Sequence, residues 1–144
     1  MYKSLLELTD DLNWLAKTCN MKVRHFRLYR KTASRSREVV LLYNPSYAGY
    51  AGDDQIDLRY YLHICVFEKE TTQVCNLTTY RLDIRQSVAD DFTLIVGDNG
   101  DIKVAGVCSG VVYTIPESPS LGDVREFSPA LLHEGEINPD WFAY

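Results

Sequence analysis

Residues 57–85 read DLRYYLHICVFEKETTQVCNLTTYRLDIR, and the fold turns on how this stretch pairs with itself. Leu58, Tyr60, Leu62, Ile64 and Val66 alternate with their neighbours, the period-2 pattern of a strand with one buried face. After a polar turn at Glu70-Thr71-Thr72, the residues Val74, Thr78, Tyr80, Leu82 and Ile84 share one parity. Two registers bring these faces together, and charge separates them. One sets Asp57 against Arg85 and Arg59 against Asp83; the other opposes Asp57 to Asp83 and Arg59 to Arg81, both like-charged. The first is the expected register. It places Cys65 opposite Leu77 and only diagonal to Cys75, so a cross-strand disulfide is not expected.

Outward from this hairpin, the N-terminal side begins with a helix over Leu5–Cys19. Ser4 and Glu7 have the spacing of a capping box, Asn20 suits the left-handed position that ends a helix, and Leu5, Leu8, Leu12, Leu15 and Cys19 make an apolar stripe. Leu6 and Trp14 are expected to widen that stripe. A second hairpin follows, Lys22–Arg30 with Glu38–Tyr43, in which Arg30 opposite Glu38 would align Phe26 with Leu42 and Leu28 with Val40. Val39-Val40-Leu41-Leu42 is apolar on both parities, which predicts a strand covered on both sides.

On the C-terminal side, Phe92–Gly97 and Ile102–Val107 flank Asp98-Asn99-Gly100-Asp101, whose Asn-Gly tolerates the positive φ of a tight turn. Val111–Ile115 reads as a separate strand. Ser128-Pro129 has the cap-then-proline signature of a short helix running to Glu134, with Gly135 closing it. The tail Trp141-Phe142-Ala143-Tyr144 carries enough apolar area to imply docking. The expected architecture is a single α+β domain over residues 1–144. An N-terminal amphipathic helix packs on a curved antiparallel meander of six or seven strands, or a partial barrel, with a short C-terminal helix and an aromatic tail.

The chain of 144 residues has a net charge of −5, unevenly spread. Residues 22–37 hold seven cations, Lys22, Arg24, Arg27, Arg30, Lys31, Arg35 and Arg37, and no acid. Residues 1–21 carry two cations against three acids, and the remainder six cations against seventeen acids. A basic island on an acidic body fits an acidic protein partner, with Arg24, Arg27, Arg30, Lys31, Arg35, Arg37 and the loop tyrosines Tyr47 and Tyr50 as contact residues. Nucleic acid could use the same patch, although an overall acidic domain is not the usual binder. The competing reading is that the arginines solvate a sheet edge.

No catalytic constellation stands out. His63 and Cys65 lie two apart on one strand face, roughly 7 Å between side chains, too far for a direct pair; with Tyr61 they form the best enzymatic trio the chain offers. The four cysteines match no zinc spacing, the Asp98–Asp101 turn lacks the remaining ligands of a calcium loop, and phosphate and dinucleotide fingerprints are missing. No cofactor or metal is expected. The sequence therefore suggests a non-enzymatic interaction protein of regulator, chaperone or immunity type, or a small-ligand module whose pocket is lined by Trp14, Tyr61, His63 and Phe67. Without a secretory signal or an apolar run of membrane length, a cytoplasmic location is expected. An edge strand permits a homodimer.

Overall fold

The computed structural model describes residues 3–30, 36–45, 58–70, 72–84, 91–96, 102–107, 110, 112–115, 127–129, 133–134 and 137. The aromatic tail, the Tyr47–Tyr50 loop, Lys31, Arg35 and the Asp98–Asp101 turn lie outside these residues. In chain order the elements are β1 (Lys3–Ser4), α1 (Leu5–Thr18), β2 (Lys22–Arg30), β3 (Ser36–Tyr43), a 3-10 turn at Leu58–Tyr60, β4 (Tyr61–Glu70), β5 (Gln73–Asp83), β6 (Phe92–Val96), β7 (Ile102–Gly106), β8 (Val112–Ile115), β9 (Phe127–Pro129) and β10 (His133–Glu134).

Both ends of α1 follow from their cap residues. The Ser4 hydroxyl accepts from the Glu7 amide at 3.2 Å. At the other end Asn20 takes φ 52°, so that the Met21 and Asn20 amides reach back to the Ala16 and Lys17 carbonyls. This is the paired-bond ending that satisfies orphan carbonyls once one residue adopts the left-handed conformation. The buried stripe is narrower than expected: Leu6 and Trp14 are 60% and 64% exposed. At about 100° per residue, Trp14 sits half a turn round from Leu5 and so points away from the sheet.

Two antiparallel sheets replace the expected single meander. The larger is built from the long strands β5-β4-β3-β2, with the short pieces β1 against β5 and β9 and β10 against β2; the smaller runs β6-β7-β8. The doubly apolar β3 explains the layering, because Val39 through Tyr43 are fully buried and need cover on both sides. On one face Val40, Leu42, Cys65, Phe67 and Val74 pack with Leu5, Leu8, Ala16 and Cys19 of the helix. On the other, Val39, Leu41, Tyr43, Leu62, Ile64 and Val66 pack with Phe92, Ile102, Val104 and Ile115 of the smaller sheet. Each fully buried Val, Leu, Ile or Phe among them contributes roughly 1.5–3 kcal/mol. Helix, large sheet and small sheet thus form three layers.

The organising hairpin forms in a different register. Tyr61 opposes Asp83, and the pairing runs unbroken to Val66 opposite Thr78 before shifting by one, so that Glu68 opposes Cys75 and Glu70 opposes Gln73. The extra residue lies on β5, where Asn76 adopts φ 51° and donates to Glu68 Oε2 at 2.8 Å. This bulge moves Val74 from the small-sheet face to the helix face, where it is 1% exposed. The turn selects this register, since Glu70 and Gln73 close on the two residues Thr71-Thr72, and the charge pairs that favoured the other register are outweighed. Leu58 and Tyr60 belong to the 3-10 turn rather than to the strand.

The first hairpin is also displaced. Arg27, not Arg30, opposes Glu38, and Phe26 opposes Val39 rather than Leu42. Val112–Ile115 is a separate strand, as the sequence indicates. The C-terminal helix is not formed: Ser128 and Pro129 pair with Tyr29 and Leu28, and His133 and Glu134 with His25 and Arg24. A proline is compatible with an outer strand that needs no donor on its free side, so Ser-Pro served an edge instead of a helix start. Among the described residues no helix is long and apolar enough to cross a membrane.

Candidate functional site

The side chains of β2 alternate, and its cations go to two different layers. Lys22, Arg24 and Phe26 face the small sheet; Val23, His25 and Arg27 face the helix side. Each set meets one carboxylate.

On the small-sheet side that carboxylate is Asp91, immediately before β6. Lys22 Nζ donates to Oδ2 at 2.9 Å and Arg24 Nη2 to the same oxygen at 2.7 Å. The Tyr43 hydroxyl and the Phe92 amide, the latter at 2.9 Å, donate to Oδ1. Tyr43 also meets the Phe92 ring edge-on at 5.0 Å between centroids. Four donors from β2, β3 and β6 therefore converge on one side chain, which pins the small sheet to the large one. Partial burial pushes the Asp91 carboxyl up, but the Lys22 hydrogen bond, the Phe92 amide and the Arg24 charge outweigh it and hold it below the ordinary aspartate value.

On the helix side the carboxylate is Glu38, which is fully buried. His25 Nε2 donates to Oε2 at 2.6 Å, the direction an ionised carboxylate requires, and Arg27 Nε donates to Oε1 at 2.8 Å. His25 is 1% exposed. Burial pushes the Glu38 carboxyl up, yet the His25 hydrogen bond and the positive potential of His25 and Arg27 win, leaving it below the ordinary glutamate value. Lys69 on β4 responds to the same cluster: burial lowers its pKa, Glu38 opposes that shift and Arg27 adds to it.

The contact residues expected from sequence are thus divided. Arg24 and Arg27 are committed to Asp91 and Glu38. Arg37 is buried, in register opposite Leu28 and Glu68, itself 1% exposed. Arg30 closes β2 opposite Phe127, and Lys31, Arg35, Tyr47 and Tyr50 lie outside the described residues. Of the two acids that organise the island, Glu38 was matched to Arg30 instead of Arg27, and Asp91 was not matched at all. Glu38 stands one residue beyond the acid-free window, and Asp91 is remote in sequence.

The four residues expected to line a pocket do not converge. Trp14 points outward from the helix, whereas Phe67 is fully buried beneath it. Tyr61 and His63 do meet, edge to face with centroids 6.3 Å apart. His63 Nε2 donates to the Leu58 carbonyl at 2.8 Å. Burial pulls the His63 pKa below its usual value; the Leu58 carbonyl opposes this and Arg81 reinforces it. Cys65 lies opposite Thr79, and Cys75 opposite Glu68; neither forms a disulfide. Among the described residues no group of three or more histidines, cysteines or acids could hold a metal ion. No protein-family model, curated protein or solved structure matches the chain.

Proposed function

We propose that the protein is a small non-enzymatic interaction module that engages an acidic protein partner through the outer end of the β2–β3 hairpin. One observation carries this reading: within the strands, Lys22 and Arg24 are engaged with Asp91, Arg27 with Glu38, and Arg37 is buried. The other cations of the island are Arg30, the last residue of β2, and Lys31 and Arg35 in the segment that joins β2 to β3. Tyr47 and Tyr50, in the segment after β3, supply the aromatic area that interfaces favour beside arginine.

Capture from lysate of the source cells tests the reading. The triple reversal Arg30→Glu, Lys31→Glu, Arg35→Glu is expected to abolish retention of a specific protein that the wild type retains. Unchanged retention would reject the hairpin end as the contact. Fluorescence anisotropy with oligonucleotides is the companion measurement. Binding that weakens by about 10-fold or more between roughly 50 and 200 mM salt would replace the protein partner with nucleic acid.

A further inference from the structure

β2 has a different neighbour on each side. Along one side β3 pairs with it without a break from Lys22 to Tyr29. Along the other lies the chain's own C-terminal part, in two pieces among the described residues: Phe127–Pro129 against Leu28–Arg30, and His133–Glu134 against Arg24 and His25. The pieces are out of step by one residue, since Glu134 lies five positions beyond Pro129 whereas Arg24 lies four before Leu28. Pro129 also has no amide hydrogen to give to a ladder. The strand that occupies this edge is therefore an interrupted match for it.

A clasp fastens it three residues further on. Asn13 Nδ2 donates to the Ile137 carbonyl at 2.6 Å, and Asn13 Oδ1 accepts the Ile137 amide at 2.9 Å. One side-chain amide thus satisfies both backbone groups of one residue, as a neighbouring strand would. The Ile137 side chain enters the helix-side core with Leu5, Leu8 and Ala16 and is 2% exposed. Backbone pairing along a sheet edge combined with a seat for one apolar side chain is how strand-adding ligands are recognised.

Resting on the acidic partner inferred above, we propose that the outer edge of β2 and the Asn13 seat bind an extended acidic segment of that partner, with the chain's own C-terminal segment as the intramolecular competitor. The resident segment displays the chemistry that fits. Residues 126–140 hold four acids, Glu126, Glu134, Glu136 and Asp140, and no lysine or arginine. Glu134 falls opposite Arg24, and Arg24 shares the single Asp91 carboxylate with Lys22, which leaves this part of β2 with surplus positive charge. A partner strand without the proline and the offset pairs along β2 in one register. The tethered copy, at an effective concentration of about 1 mM, keeps weaker segments out.

Fluorescence anisotropy with a labelled peptide of residues 126–140, titrated with the full chain, tests this. Ile137→Ser in the chain detaches the resident segment and leaves the seat intact. That variant is expected to bind the peptide at least about tenfold more tightly than the wild type, whose seat is filled. Adding Asn13→Ala removes two hydrogen bonds and is expected to weaken binding about tenfold. A peptide carrying Glu126→Gln, Glu134→Gln, Glu136→Gln and Asp140→Asn is expected to bind at least about tenfold more weakly. Far-UV circular dichroism checks the fold; if the serine variant unfolds, Ile137→Ala removes less apolar area and is read in the same way. Equal affinity for wild type and variant would overturn the proposal, as would a variant that binds no peptide. Indifference to Asn13→Ala or to loss of the acids would do the same. The titration involves no cellular partner, so its failure leaves the hairpin-end reading standing, whereas unchanged capture by the triple reversal rejects the hairpin end alone.

Discussion

β2 meets two carboxylates, and they do different work. Asp91 joins two sheets, is about one-third exposed, and gathers donors from residues far apart in sequence. Glu38 joins neighbouring strands of one sheet, is fully buried, and gathers a histidine and an arginine two positions apart. The first is a surface joint, where solvent can replace a lost partner. The second sits where nothing can, so removing the carboxylate strands its donors in the interior.

The largest expected effect is therefore that of Glu38→Ala. It should lower unfolding free energy by about 3–5 kcal/mol, read as a shift in urea midpoint at constant slope. A loss below about 1 kcal/mol would erase the distinction between the two acids. Asp91→Asn should cost less, about 1–2 kcal/mol, because the amide keeps an acceptor and its site is partly solvated. Hydrogen exchange should show the difference in kind: Asp91→Asn speeds exchange across β6 and β7 while β3 and β4 stay protected. Salt sharpens the contrast further, since the Asp91 ion pairs are screened and those of Glu38 are not.

A smaller effect is expected at the bulge that decides which face Val74 occupies. Asn76→Val and Asn76→Gly both lose the hydrogen bond to Glu68, but valine also forces a β-branched residue into φ 51° and should cost about 1–2 kcal/mol more than glycine. Equal effects of the two changes in a urea titration would show that the backbone there is unstrained.

The smallest effect concerns pH. His63 has its pKa lowered in the fold, so the unfolded chain binds its proton first. Stability from this group is complete above the ordinary histidine pKa and declines as pH falls below it. Asp91 and Glu38, also lowered, contribute stability that is present above the ordinary carboxylate values and is lost as pH falls through their depressed ones. Thermal melts should thus weaken in two stages on acidification, and His63→Gln should remove the earlier stage only.

Local signals in the sequence were read correctly where one segment decides its own structure. Ser4 and Asn20 mark the ends of α1, and alternation locates the strands of both hairpins. Registers were harder, because they depend on what lies across the sheet. A one-residue bulge at Asn76 outweighs a charge argument made at the far end of the hairpin, and Glu38 selects Arg27 through a buried pair no window of composition reveals. The second sheet was illegible for another reason: Phe92–Val96 alternates identically whether it extends one sheet or stacks on another. Ser128-Pro129 misled because a proline that starts a helix and one that borders a sheet edge satisfy the same backbone constraint. At the candidate site the cations were visible, Glu38 was assigned to the wrong arginine, and Asp91 was not seen as a partner.

The most direct test of the claim that β2 directs its cations inward is titration of the Glu38 side-chain carboxyl by carbon-detected NMR. The two bound donors predict a midpoint below the ordinary glutamate value. A midpoint above that value would mean that burial prevails over His25 and Arg27, and that the basic strand does not serve the interior.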